Sequence, residues 1–297
     1  LGDVYKRQML GPARSPGHAV FRDLAELPPA CYLTYDHGTL QVHRYWKLHA
    51  APHTDSPADT IERTHQLVTD AVERQLVSDV PLACFLSGGL DSSILSMLAA
   101  KDYAARGETL HTWSVDYRDN DKYFTKSIFQ PNSDDSYIDQ MVDFLGTHHH
   151  RVVLEPEALC AALLPATDAR ALPGMADVDS SLLLFCAAVK RGGTTVCLSG
   201  ECADELFGGY PWYRDPTVRE RYGFPWAQST AYRASFIKPG VLGGIDPAAF
   251  VDERYRATLA QTSVRPGLPA AEQRMRQMMN LNFKWFMQTL LDRKDRM

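Results

Sequence analysis

Two apolar runs in this chain end in the same Leu-Ser-Gly turn, and each turn leads into a new apolar segment. The first reads "CFLSGGLDSS" from Cys84, the second "VCLSGECADELFGGY" from Val196. Between them the pattern alternates between strand and helix. Strands are expected over Leu82 to Leu86, Leu110 to Asp116, Arg151 to Leu154 and Thr195 to Leu198. Helices are expected over Ser92 to Tyr103, Tyr137 to Leu145, near Glu157 to Leu164, and over Ser180 to Lys190. Such alternation predicts an α/β fold: a parallel sheet with helices on both faces.

In sheets of this kind ligands bind beyond the carboxyl ends of the strands, where loops run into helix N-termini. The "SGGLDSS" turn falls there. Gly88 and Gly89 let the backbone approach an anion, and the amides and dipole of the next helix favour negative charge. No Gly-Lys-Ser/Thr follows, so this is not a Walker A loop, and transfer of a γ-phosphoryl group is disfavoured. Asp91 would repel a polyphosphate unless a divalent cation stands between them, a role that suits Mg²⁺ and hard oxygen ligands. The second turn is either another anion-handling loop at the same sheet edge, or a place where Glu201, Asp204 and Glu205 are favourable charges at a helix N-terminus.

Outside this core the chain changes character. "CYLTYDHGTLQVHRYWKL" alternates about Asp36-His37-Gly38 and predicts a β-hairpin. A polar, proline-bearing stretch, His49 to Thr60, places a boundary near residue 50. Asp59 or Thr60 is expected to cap the helix traced by Ile61, Leu67, Val68, Ala71, Val72 and Leu76. From Trp226 onward strand signals cease, and helices are expected over Pro247 to Gln261 and Ala270 to Arg293.

Composition narrows the function. A net charge of −5, from 31 basic and 36 acidic residues spread along the chain, provides no basic block for nucleic acid or an acidic membrane. No stretch nears the roughly 18 apolar residues of a membrane span. The six cysteines show no zinc spacing and read as buried thiols of a reducing compartment, so the expected location is cytoplasmic. His148-His149-His150 cannot all face one ion, because they lead into a strand. "FQPNSDDSY" (Phe129 to Tyr137) reads as a loop closed by a helix cap at Asp135 or Ser136. Tyr210, Trp212, Tyr213, Tyr222, Phe224 and Trp226 are expected to pack rather than stack on bases.

The full string "LSGGLDSS" resembles the pyrophosphate loop of the N-type ATP pyrophosphatases, which cleave ATP between the α and β phosphates to adenylate a substrate. With "LSGECADELFGGY" the resemblance sharpens to the asparagine synthetase (glutamine-hydrolysing) family, of adenine nucleotide alpha hydrolase-like fold. "TWSVDY", "MADVDSSLL" and "LLDRKDRM" add to it. The resemblance implies that Leu86 and Val115 contact the adenosine of ATP. It implies that Ser87, Gly88, Gly89, Asp91, Ser92 and Ser93 hold pyrophosphate, with Ser199 and Gly200 against the nucleotide. Asp91 and Asp204 would share Mg²⁺, and Glu201 would serve the β-aspartyl-AMP intermediate and the attacking ammonia as a general base. Asp177, Asp179, Ser180 and Ser181 would help bind aspartate.

The implied reaction converts aspartate to asparagine with release of AMP and pyrophosphate. Ammonia would come from glutamine, hydrolysed by a glutaminase domain normally in the same chain, and the family admits a homodimer. The nucleophilic N-terminal cysteine of that domain is absent here, and Cys31 reads as a buried small hydrophobe instead. Residues 1–8 do not fit the family and are set aside as extraneous. Residues 9–50 resemble the end of the glutaminase domain, and residues 51–297 the synthetase domain. "LLDRKDRM" carries no helix stop, so a longer chain is expected. Two alternatives remain: a related adenylating amide or lactam synthetase, and a catalytically inactive ATP-binding fragment.

Overall fold

The computed structural model describes residues 17, 19, 21, 23–126, 133–172, 174–238 and 240–297, without the side chains of residues 176 and 177. Residues 1–8, set aside above, and Phe129 to Asn132 of the expected capped loop lie outside the described residues. By internal packing the chain divides into two compact units, residues 53–203 with 293–297, and residues 1–52 with 204–292.

The first unit carries the sheet. Its elements, counted after the hairpin strands β1 (Cys31–Asp36) and β2 (Thr39–Arg44), begin with α1 (Pro57–Gln75), β3 (Leu82–Phe85), α2 (Leu90–Ala105) and β4 (His111–Tyr117). Then come α3 (Asn120–Tyr123), α4 (Asp135–Leu145), β5 (His148–Leu154), α5 (Pro156–Ala161), α6 (Leu163–Arg170), α7 (Ala176–Arg191) and β6 (Val196–Leu198). The four strands are all parallel, in the order β5-β4-β3-β6. Alternation along β3 divides the core. Leu82 and Cys84 pack with Leu76 before the sheet, Ala99 of α2 and Leu110, while Ala83 and Phe85 pack on the other face with Trp113, Phe185 and Val189. Helices therefore cover both faces, as the alternation predicts.

Several boundaries differ from expectation. α1 is capped by Ser56, whose Oγ accepts from the Asp59 amide at 3.2 Å, so neither Asp59 nor Thr60 is the cap. Pro57 then occupies the first helical position, where its missing N–H costs nothing. α4 starts at Asp135 after Asp134, which makes no side-chain cap, so Asp135 and Ser136 are not caps either. The helix expected near Glu157 to Leu164 is two, α5 and α6, and α7 begins four residues earlier than Ser180. β5 takes in the histidine triplet. His149 bonds Thr112 and Ser114 on one face at 2.9 Å each, and His148 and His150 stack on His111 on the other.

The second unit holds the β1–β2 hairpin, which turns through His37 (φ 44) and Gly38 (φ 84). Two successive left-handed residues match the twist of a tight hairpin. Both strands are exposed, and half-buried Cys31 is not the buried hydrophobe the sequence suggested. The remaining elements are helical: α8 (Ala203–Phe207, its first residue in the other unit), α9 (Pro211–Arg214), α10 (Pro216–Arg219), α11 (Thr230–Ser235), α12 (Pro247–Leu259), α13 (Ala270–Leu281) and α14 (Met287–Arg296), whose end returns to the first unit.

A π-helical turn, Asn282–Phe286, interrupts the single helix expected from Ala270 to Arg293. Asn282 is fully buried, and its Nδ2 donates to the Met278 carbonyl at 2.9 Å, a side-chain competitor for the helix ladder. Phe224, Tyr255, Leu281 and Trp285 form one core here, and Trp212, Tyr213 and Met278 another. Of the aromatic set only Tyr222 stands exposed, and its ring still meets Tyr255 edge-on.

One ion pair in the sheet unit is almost dry. Arg170 and Asp179 meet at 2.8 Å with 5% of each side chain exposed, bridging α6 to α7. Removing one partner of such a pair strands a buried charge, at a cost of about 3–5 kcal/mol. Arg170→Met should therefore lower the denaturant midpoint sharply, and Arg170→Met with Asp179→Leu should recover much of it. Equal midpoints for the wild type and the single variant would contradict this.

Candidate active site

β6 lies beside β3, with Cys84 opposite Leu198, while β4 and β5 continue from the other edge of β3. The strand order thus reverses between β3 and β6. At such a reversal the loops after the two strands part and leave a crevice beyond the strand ends. Both Leu-Ser-Gly turns open there.

Leu86 closes the first strand, its amide donating to the Trp113 carbonyl at 2.9 Å and its side chain 1% exposed. Ser92 then clasps the loop. Its Oγ accepts from the Ser87 amide at 3.2 Å, donates to the Gly89 carbonyl at 3.0 Å, and lies 3.0 Å from Ser87 Oγ. Gly88 turns at φ +75, and a Cβ there would come within 2.9 Å of the Asp134 carbonyl oxygen. Gly89 opens α2 in extended conformation without a capping side chain, so the first-turn amides find no carbonyl within the helix. The Ser93 amide bonds the Gly89 carbonyl at 3.0 Å and begins the ladder.

The second loop comes down onto this turn. A Cβ at Gly200 would lie 3.0 Å from both Asp91 Cβ and the Ser92 nitrogen. Ser199 and Gly200 are half-buried beside it. Cys202 holds φ 80, a left-handed conformation uncommon for a residue with a side chain. Glu201 between them points its Oε1 toward Lys294 Nζ at 3.1 Å and Arg293 at 3.7 Å. Its Oε2 is buried with no hydrogen-bond donor among the described residues.

Asp204 begins the second unit. Burial pushes its carboxyl above the usual range, with Arg214 opposing. Its Oδ1 fills the space a Cβ at Gly209 would need. Asp91 is a hard oxygen donor in the first turn of α2, and among the described residues no group of three or more His, Cys, Asp or Glu forms a cage. A single carboxylate of this kind fits Mg²⁺, which takes one or two carboxylates and completes its shell with phosphate and water.

On the α7 face a cavity of about 730 Å³ opens between Val115, Tyr117, Leu159, Leu182 and Phe185, with Ser180 and Ser181 on its wall. Its lining is almost wholly apolar apart from the two hydroxyls, and the Tyr117 hydroxyl donates to Ser181 Oγ at 3.1 Å. Cys160 also lines it and is exposed. Cys84 alone of the six thiols is fully buried, and burial pushes it up to about 12. Asp179, expected near aspartate, is committed to Arg170 instead, because an almost dry carboxylate needs a cation. Asp177 lies in the first turn of α7, its side chain outside the described residues.

The sequence reading missed Arg293 and Lys294. Their signal was the basic pair in "DRKDRM", which local pattern alone presents as a solvated helix face. Their partner lies more than ninety positions away.

The strand reversal, the glycine turn at a helix N-terminus and the apolar cavity belong to an α/β protein with a parallel sheet. Residues 63–297 match the family described as asparagine synthase. The chain is 46% identical over 289 residues to asparagine synthetase [glutamine-hydrolyzing] 3 of Bacillus subtilis, covering 97% of this chain and 47% of that protein. It is 32% identical to asparagine synthetase B of Escherichia coli over 68% of this chain and 36% of that one. A solved NAD+ synthetase from Burkholderia pseudomallei aligns with 76% of this chain and 91% of its own at 16% identity, but a TM-score of 0.32 is too low to bear on the fold. The chain belongs to the asparagine synthase family, and it spans about half or less of the length of these relatives.

Gly200→Ala should leave the circular dichroism spectrum intact and weaken nucleotide binding by about tenfold or more, since sub-ångström misplacement of a binding loop is costly. Unchanged affinity in equilibrium dialysis would show that the close approach of the two loops does not shape the site.

Proposed function

We propose that this chain carries the ATP-dependent, amide-forming half of an asparagine synthetase. The observation that supports it most is the pair of Leu-Ser-Gly loops at the strand reversal, held together by the Gly200 approach and lacking a Walker lysine. In this reading the adenosine lies along Leu86 and Val115, with the apolar cavity offering its base a desolvated wall. The phosphates lie on Ser87, Gly88, Gly89, the Asp91–Ser93 turn, Ser199 and Gly200. Mg²⁺ held at the Asp91 carboxylate would offset negative charge on the departing pyrophosphate.

The chemistry follows from a poor electrophile. The side-chain carboxylate of aspartate attacks the α phosphorus of ATP, the α–β bridging bond breaks, and pyrophosphate leaves with the electron pair. The product is a mixed anhydride, β-aspartyl-AMP. Ammonia then attacks the acyl carbon, AMP departs, and Glu201 accepts the proton released from nitrogen. Helix-terminal amides aimed at the phosphates are already oriented, which is where electrostatic catalysis gains most. Ammonia would come from glutamine through a glutaminase domain of the same protein. A related adenylating amide or lactam synthetase would use the same phosphate apparatus with a different acceptor pocket.

Full-length protein given ATP, Mg²⁺, aspartate and ammonia should release AMP and pyrophosphate in equal amounts. Release of ADP would overturn adenylation, and pyrophosphate release indifferent to aspartate would reject aspartate as acceptor.

A further inference from the structure

Glu201 is held unevenly, and the asymmetry has a source elsewhere in the chain. Its Oε1 faces two cations, Lys294 Nζ at 3.1 Å and Arg293 at 3.7 Å, while Oε2 is buried and has no donor among the described residues. Both cations sit near the end of α14, yet they pack with the sheet unit, and their side chains are only 23% and 11% exposed. Lys294 is located by a further contact, its Nζ 5.4 Å from the centroid of the Phe85 ring at the end of β3. Its charge also reaches Cys186 and Cys197, opposing the upward push of burial on both thiols. The ammonium therefore lies at the same strand ends as the two loops, where the Walker-type lysine is missing from the sequence.

We infer that Lys294, supported by Arg293, is a positioning residue for Glu201: it anchors Oε1 and leaves Oε2, the oxygen without a donor among the described residues, to accept the proton from the attacking amine. This rests on the adenylation reading above. A carboxylate tethered at one oxygen has lost the rotation that would otherwise present either oxygen at random, and a fixed acceptor is what proton transfer in a transition state requires. In the step concerned, the amine nitrogen forms a bond to the acyl carbon. The bond from that carbon to the phosphate oxygen breaks with its electrons leaving on AMP, and one N–H proton moves to Oε2.

Two measurements on the full-length protein decide it. The first needs no reaction: a thermal-stability cycle of Glu201→Gln, Lys294→Met and the double variant, without substrates. Pairing predicts that the loss caused by Lys294→Met largely disappears once residue 201 is already glutamine. Additive losses would remove the anchor, whatever the protein catalyses. The second is kinetic. Lys294→Met should cut ammonia-dependent amide formation, with a raised KM for ammonia, by about tenfold more than it cuts aspartate-dependent pyrophosphate exchange, and Lys294→Arg should restore most of it. Parallel loss of both activities, or failure of arginine to rescue, would reduce Lys294 to a structural role and overturn the inference. If the wild type showed no aspartate-dependent exchange, the acceptor assignment would fall, and the stability cycle would still decide the anchor.

Discussion

The backbone at Gly200 packs too closely on the first turn of α2 to leave room for a side chain, and the geometry of the two loops depends on that approach. A single methyl at Gly200 would come within 3.0 Å of Asp91 and Ser92. Two loops from adjacent parallel strands would ordinarily part at a strand reversal, because their helices leave from different faces. Here the second loop leans back over the first. That contact fixes where the loop runs on to Glu201. The clasp of Ser92 across Ser87 and Gly89 serves the same end from within the first loop.

The electrostatics of the crevice then become intelligible. A helix N-terminus attracts anions, yet the motif plants Asp91 in its first turn, and the second loop adds Glu201. Glu201 is met by Lys294 and Arg293. Within the second unit Glu205 is fully buried with its Oε1 bonded by the Tyr210 hydroxyl at 2.8 Å, and burial pushes the Asp204 carboxyl up with Arg214 opposing. In the proposed reading, an acid in an anion-binding turn calls for a divalent ion to accompany the anion.

What could be read from the sequence follows the range of the forces involved. The Leu82–Phe85 strand, its glycine turn and α2 are specified within about twenty residues, so apolar runs and turn chemistry exposed them. The hairpin at His37-Gly38 was legible for the same reason. Caps were less so: Ser56, Asp59 and Thr60 are all competent, and only the backbone at Pro57 selects among them. The π turn at Asn282 depends on a side chain finding a carbonyl inside a packed core, which periodicity does not reveal. The buried partner of Asp179 is Arg170, on another helix, and the partner of Lys294 is Glu201, on a distant loop. In both cases the deciding contact is between elements. The asparagine synthase family membership, in contrast, was carried by contiguous strings.

The central claim is that one crevice, between the ends of β3 and β6, receives the triphosphate. Amide hydrogen exchange with and without Mg²⁺ and α,β-methylene ATP tests it most directly, since that analogue cannot be cleaved at the bond in question. The account predicts slowed exchange at residues 87–93 and 199–201 together. Protection confined to other segments, or at only one of the two loops, would contradict it.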